Sequence, residues 1–349
     1  MSEARLLIAD SVNRLFADTI DRALLERFES GEWLASLWSQ VEESGFDQVL
    51  CLEGAATNWL DAQSVLRAIG YNRVPLPLAE SIVGNWLLAR AGLRIEGGPI
   101  SIAQCDDAMT LTRQGDRLIL NGRLVRVPWG RHVKRIVVGG TCEGKTVIGI
   151  INPSTANAMR FEHDVNVAAE PRDTIVCERT ACDAFAFVSE MGSDPVRTYG
   201  ALARAATMGG AIESVLDQAV QYANDRVQFG RPIGKFQAVQ HLLAELGSES
   251  AAATAAITGG CESAGSAHAR MDVAAAKVRA GEAAKHAARI AHQVHGAIGF
   301  TYEHTLHFAT RRLWSWRNEL GNDAYWAREL GAAVISSGGE RFWADMTAR

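Results

Sequence analysis

The stretch DRVQFGRPIGKFQAVQHLLAEL, residues 225–246, begins and ends with helical sequence but is interrupted in its middle by Gly230, Pro232 and Gly234. Proline cannot continue the interior of a helix, and glycine weakens one. The stretch therefore predicts a helix that ends, a tight turn that reverses the chain, and a second helix.

Three side chains with different chemistry stand at this predicted helix end. Arg226 carries a permanent cation with a planar fork of donors, which suits a phosphate group. Gln228 supplies neutral hydrogen bonds, and Phe229 supplies a flat apolar face. Together they suit an aromatic dinucleotide. The alternative is an ordinary turn with a surface arginine and a core phenylalanine.

A second stretch, HQVHGAIGF at residues 292–300, predicts another helix end. Gly296 and Gly299 terminate an alanine-rich helix, and backbone amides exposed at such a corner can bind phosphate oxygens. Gln293 lies one helical turn before Gly296, so its side-chain amide can reach the same corner.

Outward from these stretches the chain divides into three regions. Residues 1–96 have apolar residues at helical spacing, and so do residues 196–349. The last region is rich in alanine, with breaks predicted at Gly259, Gly260 and Gly265; long helices of this kind favour an antiparallel four-helix bundle.

The middle region, residues 97–195, has alternating apolar residues and therefore predicts short antiparallel strands. Its turn signals are Gly115 with its neighbours and the pair Asn121 and Gly122, a combination that favours a hairpin. The fold class is thus mostly α with a middle β domain. A Rossmann domain would instead alternate strands and helices.

The two motifs, in this order, resemble the acyl-CoA dehydrogenase family of flavoproteins. The first is similar to the family segment ERxxFGxPIxxFQxxQxxLA, and the second to QxxGGxGF. The resemblance implies a helical domain, a β domain and a C-terminal four-helix bundle, with FAD bound at a subunit interface. It places the following residues at the cofactor: Arg226, Gln228 and Phe229 against the FAD of a neighbouring subunit, with Gln237 near them, and Gln293, Gly296 and Ala297 along the FAD pyrophosphate.

The resemblance also implies a reaction, the α,β-dehydrogenation of an acyl-CoA thioester. A base removes the α-proton while the β-hydrogen leaves as hydride to the flavin. Reduced flavin in this family usually passes its electrons to electron-transfer flavoprotein. Lipid or steroid degradation is the implied setting.

The glutamate that serves as base in this family has no direct counterpart. Alignment of Gly321 on the family glycine puts Leu320 at the base position and Glu319 one residue early; the alternative family position aligns with Gly200. Either Glu319 is the base in a shifted loop, or the chain is a subunit without a base. Sterol-degradation enzymes of this family pair a short chain with a longer homologue in an α2β2 heterotetramer, and this chain resembles the short partners. A flavin-free helical oligomer is a third reading.

The family's middle-domain contacts with flavin and thioester are also replaced. Gln104 and Trp129 are the candidates that remain near those places. Trp314, Trp316 and Trp326 are expected in the core or around an acyl pocket.

Composition narrows the other function classes. The net charge of −5 gives no support for a nucleic-acid partner, and no apolar run has the length of a membrane span. Six cysteines without a CxxC pair favour free thiols in the cytoplasm. His292 with His295, and His304 with His307, have a spacing that a metal site can use, but no acidic residue is in register, so no metal is predicted.

Overall fold

The computed structural model describes residues 3–51, 58–156, 158–341 and 343–344. Helices come first, strands follow and helices complete the chain. This order confirms the predicted fold class, mostly α with a middle antiparallel β domain. Within the described ranges, no helix combines the length and apolar character needed to cross a membrane.

The N-terminal region packs short helices whose ends are set by local hydrogen bonds. Asn58 and Asp61 form a reciprocal capping box at the start of one helix, in which each side chain accepts from the other residue's backbone amide. Arg73, at a φ of 59°, ends the same helix. The helices are α1 (Glu3–Thr19), α2 (Arg22–Glu29), α3 (Ala35–Glu43), α4 (Trp59–Asn72) and α5 (Leu78–Arg90).

The middle region forms two four-stranded sheets. Their strands are β1 (Ile100–Gln104), β2 (Met109–Gln114), β3 (Arg117–Pro128), β4 (Arg135–Cys142), β5 (Lys145–Ile151), β6 (Met159–Glu162), β7 (Arg172–Ala181) and β8 (Ala184–Phe187). One sheet has the order β1-β4-β5-β8 and the other β2-β3-β7-β6. All pairs are antiparallel except β1 with β4, which are parallel.

The two predicted turn signals of this region have different outcomes. The hairpin of β2 and β3 turns at Gly115 and Asp116. Asn121 and Gly122 were expected to turn as well, but they lie inside β3, where the pairing with β7 shifts register. Gly122 has a φ of 133°, and a Cβ there would clash with the carbonyl oxygen of Ala108. The glycine therefore serves a β-bulge instead of a turn.

The C-terminal region consists of α6 (Pro195–Asp225), a two-residue hairpin of β9 (Val227–Gln228) and β10 (Arg231–Pro232), α7 (Gln237–Ser263), α8 (Ala269–His295), α9 (Leu306–Trp316) and α10 (Asp323–Ser337). The break predicted at Gly259 and Gly260 is wrong, because α7 continues through both. A Cβ on Gly260 would lie 3.0 Å from Leu202 Cδ1, so this glycine serves close helix packing. The chain breaks near Gly265, at a φ of 86°.

Two glycines bring α4 and α6 into backbone contact. A Cβ on Gly70 would clash with the carbonyl oxygen of Thr207, and a Cβ on Gly210 would clash with that of Arg67. The N-terminal helices and the long helix α6 thus meet without side chains between them. The buried apolar residues form a continuous core from α1 through the sheets to α8.

Candidate functional site

The two sequence motifs lie at the same end of the helical bundle. Because α6, α7 and α8 alternate in direction, the end of α6, the start of α7 and the end of α8 are neighbours. The ring of Tyr222, one turn before the end of α6, stacks on the ring of His295, the last residue of α8, with centroids 4.5 Å apart. A single chain therefore brings the predicted residues of both motifs to one surface.

The first motif makes an exposed turn. Phe229 and Gly230 have φ values of 51° and 79°, as a tight two-residue hairpin loop requires. The side chain of Phe229 is 93% exposed, so the alternative of a core phenylalanine is wrong. Its ring meets Phe236 edge-on at 6.2 Å, and the guanidinium of Arg231 lies 4.3 Å from the centre of the Phe236 ring.

The polar groups of this turn face solvent. Arg226 ends α6 by donating its backbone N–H to the carbonyl of Tyr222. Its side chain is exposed and has no salt bridge to a carboxylate of the described residues. Gln228 is also exposed, and Gln237 begins α7 on the surface. The guanidinium of Arg226 is therefore available to an external ligand, whereas the side-chain amide of Gln228 already donates one hydrogen bond to the carbonyl of Val227 at 2.7 Å.

The second motif borders a cleft. Gly296, at a φ of 63°, ends α8, and Ala297 follows in a short turn that extends to Phe300. Gln293 lines a cavity of about 370 Å³ next to this corner. Phe300 is 72% exposed, and its ring stacks on His292 with centroids 4.2 Å apart. The other residues that line the cavity are Ala288, Arg289 and Trp314.

The end of the bundle thus presents an exposed guanidinium, several carboxamides, exposed aromatic rings and a glycine corner, at which the N–H of Gly296 donates to the carbonyl of His292. Guanidinium and backbone N–H groups suit phosphate oxygens, and flat rings suit an aromatic heterocycle. This donor set fits the pyrophosphate and ring systems of a dinucleotide such as FAD.

A second cleft, of about 210 Å³, lies between the sheets and the bundle. It is bordered by the ends of β1 and β3, by the start of α6 and by the loop between α9 and α10. Gln104 lies at its β1 side, and the side-chain amide of Gln104 donates to Asp194 at 3.3 Å. The loop contributes Asn318, Glu319, Leu320 and Gly321.

The two family positions for the base, Gly200 and Leu320, lie next to each other near this cleft. A Cβ placed on Gly200 would lie 2.8 Å from Leu320 Cδ1 and 2.9 Å from Ile102 Cδ1. The two positions are therefore adjacent in space, and neither carries a carboxylate. Leu320 has a φ of 56°, a backbone conformation that is costly for leucine.

The carboxylate of Glu319 is engaged by two arginines. Arg172 donates from Nε to Oε1 at 2.8 Å and from Nη2 to Oε2 at 3.1 Å. Arg204 Nη2 lies 3.0 Å from Oε2. Burial alone would raise the pKa of Glu319, but the two cations and their hydrogen bonds lower it to about 2. Such a carboxylate is a weak proton acceptor at neutral pH.

These residues belong to a buried ionic network that sequence analysis missed. Arg172 and Arg312 pair with Glu170, and Arg204 pairs with Glu80. With Glu319, the network holds three arginines and three glutamates from α5, β7, α6, α9 and the loop after α9. Apart from Glu170 and Arg172, which lie two residues apart just before and at the start of β7, its members are far apart in the sequence and have no common spacing, so no pattern in the sequence marks them.

Lys277 holds the loop after α9 through hydrogen bonds to its backbone carbonyls. It lies on α8, is fully buried, and donates from Nζ to the carbonyl oxygens of Arg317 at 2.8 Å and Gly321 at 2.9 Å. Burial lowers the pKa of Lys277 to about 7. The lysine therefore holds both ends of the segment that carries Glu319 and Leu320.

Comparisons with known proteins agree with this architecture. The family profile described as the C-terminal domain of acyl-CoA dehydrogenase matches residues 198–334. The acyl-CoA dehydrogenase IpdE2 of Mycobacterium tuberculosis is 42% identical over 265 residues, which cover 75% of this chain and 73% of that protein. This chain belongs to the acyl-CoA dehydrogenase family. The family consists of oxidoreductases that act on CH–CH groups.

Solved structures of acyl-CoA dehydrogenases share the fold over almost the whole chain. A variant of the Tcur3481–Tcur3483 steroid ACAD superposes with a TM-score of 0.87 at 19% identity and covers 96% of this chain and 98% of its own. The ChsE4–ChsE5 complex from Mycobacterium tuberculosis gives a TM-score of 0.84 at 20% identity, with the same coverages.

The remaining candidate residues of the chain differ in how deeply they are buried. Trp129 is 2% exposed and packs on Phe28 with ring centroids 5.5 Å apart, so it is a core residue. Trp316 and Trp326 are buried, whereas Trp314 is 45% exposed and borders the cavity beside Gln293. In the described part of the chain, no three histidine, cysteine or acidic residues are grouped to hold a metal ion.

Proposed function

We propose that this chain is a subunit of a FAD-dependent acyl-CoA dehydrogenase that contributes to a flavin site but does not supply the catalytic base. The observation that carries the proposal is the meeting of Gly200 and Leu320. These are the two positions at which the family carries its base; they are adjacent in space, and neither residue has a carboxylate. Glu319 is next to them, but its carboxylate is held in salt bridges with Arg172 and Arg204.

FAD is the cofactor that the exposed end of the bundle fits. Arg226 would hold the pyrophosphate, and Gly296 and Ala297 would lie alongside it. Phe229 would cover a ring face, and Gln228, Gln237 and Gln293 would donate amide hydrogen bonds. In the dehydrogenation of a thioester, bound FAD supplies the acceptor for the hydride that leaves the β-carbon. Arg226, Gln228 and Phe229 are exposed, which suits contact with the FAD of a neighbouring subunit.

The neighbouring subunit in this proposal is a longer acyl-CoA dehydrogenase homologue. It would supply the base and the groups that align the thioester, and the reduced flavin would pass its electrons to electron-transfer flavoprotein. The likeness to the ChsE4–ChsE5 complex and to the Tcur3481–Tcur3483 steroid ACAD supports a heteromer and an acyl-CoA substrate, of which a steroid-derived thioester is one candidate.

The alternative is that Glu319 itself acts as the base. Its support is position, because Glu319 borders the cleft beside Leu320. It would need the loop to move so that the carboxylate leaves Arg172 and Arg204. A pKa near 2 opposes proton abstraction, since the best general bases have a pKa near the working pH.

The test is to purify the chain alone and after coexpression with a genomically adjacent longer homologue. Flavin absorbance per protein and reduction of an artificial electron acceptor with acyl-CoA are measured for both. We expect a chain that is colourless and inactive alone and a yellow, active complex. Activity of the chain alone that is lost in Glu319→Gln would establish the alternative. Absence of flavin from every combination would leave the helical oligomer.

A further inference from the structure

The space between Gly200 and Leu320 is where a thioester would have to react in this chain. A base at either family position must reach the α-carbon of the substrate, so the two positions border the place of that carbon. This step rests on the proposed function, because it takes the ligand to be an acyl-CoA. The cleft of about 210 Å³ leads to this place from the surface.

The side chain of Leu320 fills that space. The void that remains there has a volume of about 10 Å³, which is at the lower limit for a single water molecule. Its walls are mostly apolar, with Ala79 and Val83 from α5, Ile102 from β1 and Ala203 from α6; the ion pair of Glu80 and Arg204 also borders it. Leu320 therefore occupies an apolar site that would otherwise be open to a short hydrocarbon chain.

Leu320 is held there from three sides. Its carbonyl accepts a hydrogen bond from Trp326 Nε1 at 3.0 Å. Lys277 binds the carbonyls of Arg317 and Gly321 on either side of it. Glu319, the preceding residue, is fixed by the ionic network. A leucine at a φ of 56° is strained, and such strain persists only where the surroundings determine the conformation.

We propose that Leu320 closes the acyl subsite of this chain, so that the acyl group of a thioester binds only in the cleft of the partner subunit. The chain then contributes to a flavin site while its own substrate site is filled by a residue of its own backbone loop. Lys277 is the positioning residue that keeps the loop in the closed arrangement.

The experiment opens the subsite by truncation. Butyryl-CoA and free CoA are titrated into the full-length chain, and binding is followed by saturation-transfer NMR on the ligand, which detects weak complexes. The wild-type chain is expected to bind both ligands equally. In Leu320→Ala, the dissociation constant for butyryl-CoA should fall by about 15- to 60-fold while that for CoA stays constant, because two or three methylene groups become buried.

Two further variants control for a general effect of truncation and for loss of folding. Leu243→Ala removes the same atoms from a half-buried position on α7 and should match the wild type. Leu320→Gly opens the subsite and also relieves the strained backbone, so it replaces Leu320→Ala if that variant does not fold. The proposal is overturned if the wild-type chain already prefers butyryl-CoA, or if the folded Leu320 variants show no preference.

The outcome of the ligand titration depends neither on bound flavin nor on turnover. The binding experiment uses neither the cofactor nor the partner, whereas the proposed function is tested by flavin content and activity of the coexpressed complex. A closed subsite in a chain that never acquires flavin would refute the proposed function only. An open subsite in an active complex would refute only the inference about Leu320.

Discussion

Oε2 of Glu319 lies 3.0 Å from Nη2 of Arg204, which joins the loop after α9 to the middle of α6. Arg204 also pairs with Glu80 on α5, so one guanidinium connects all three elements around the closed subsite. Removal of one partner from such a buried pair leaves an uncompensated charge and is strongly destabilising. The pair therefore has a structural role that can be measured separately from catalysis.

Glu319→Gln should lower stability and change its pH dependence. The pKa of Glu319 is lowered to about 2 in the folded chain, so its contribution is present above its unfolded pKa and is lost as pH falls toward 2. Between pH 6 and pH 3.5, the wild type should lose about 1 kcal/mol more of its unfolding free energy than the variant. At pH 7 we expect the variant to be less stable by about 3 kcal/mol. Urea denaturation at several pH values measures both quantities.

The control for this prediction is Glu26→Gln. Glu26 forms an exposed i,i+4 pair with Arg22, and such pairs contribute less than about 0.5 kcal/mol. An equal loss in both variants would show that the buried network does not stabilise the fold. In the coexpressed complex, Glu319→Gln should keep its turnover per folded molecule.

Gly200→Ala should be destabilising because of Leu320. The added methyl group would lie 2.8 Å from Leu320 Cδ1, and overpacking of this kind costs about 1–3 kcal/mol. In the Gly200→Ala/Leu320→Ala double variant the clash with Leu320 is gone, whereas the close approach to Ile102 Cδ1 at 2.9 Å remains. A double-mutant cycle by urea denaturation should therefore give a coupling energy of about 1 kcal/mol or more. Additive effects would mean that the two residues do not touch.

Arg226→Ala should reduce flavin retention without unfolding the helices. The side chain is exposed and has no salt bridge among the described residues, so stability should change by less than about 0.5 kcal/mol. Loss of the cation removes a charge-assisted contact with phosphate. The ratio of flavin absorbance to protein in the purified complex measures the effect. Arg94→Ala, at an exposed arginine whose Nε lies 3.7 Å from Glu96 Oε1, is the control, and an unchanged ratio in Arg226→Ala would exclude this residue from the flavin site.

Lys277→Met should remove a rise of stability with pH. Burial lowers the pKa of Lys277 to about 7, so between pH 7 and pH 10.5 the unfolded chain binds more protons and stability rises with pH. From pH 7.5 to pH 9 this group should add about 2 kcal/mol to the unfolding free energy of the wild type. Lys285→Met changes an exposed lysine on the same helix and should keep the wild-type slope. The same slope in Lys277→Met would contradict a buried, largely neutral lysine.

The fold could be predicted from the sequence because its signals are local. Helical spacing, alternation and the glycine corners at residues 230 and 296 each depend on a few neighbouring residues. These local sequence patterns gave wrong predictions where tertiary packing determines the backbone conformation. Gly122 allows a bulge against β7, and Gly260 allows α7 to approach Leu202, although both resemble turn or break residues in the sequence.

The candidate site could be predicted only in part, for a related reason. The motifs place Arg226 and Gly296 at helix ends, and the antiparallel bundle brings those ends together. The environment of Glu319 could not be predicted, because Arg172 and Arg204 come from β7 and α6, far from it in the sequence. The meeting of Gly200 and Leu320 follows from the path of the loop after α9, which no local pattern encodes.

The backbone contact between Gly70 on α4 and Thr207 on α6 has a mechanical consequence. Helices that touch main chain to main chain have no side-chain layer that can deform, so one cannot slide along the other without collision. We therefore expect α4 and α6 to move as a single body. Any rearrangement that accompanies docking of a partner must be absorbed elsewhere, for example at the exposed hairpin of Phe229.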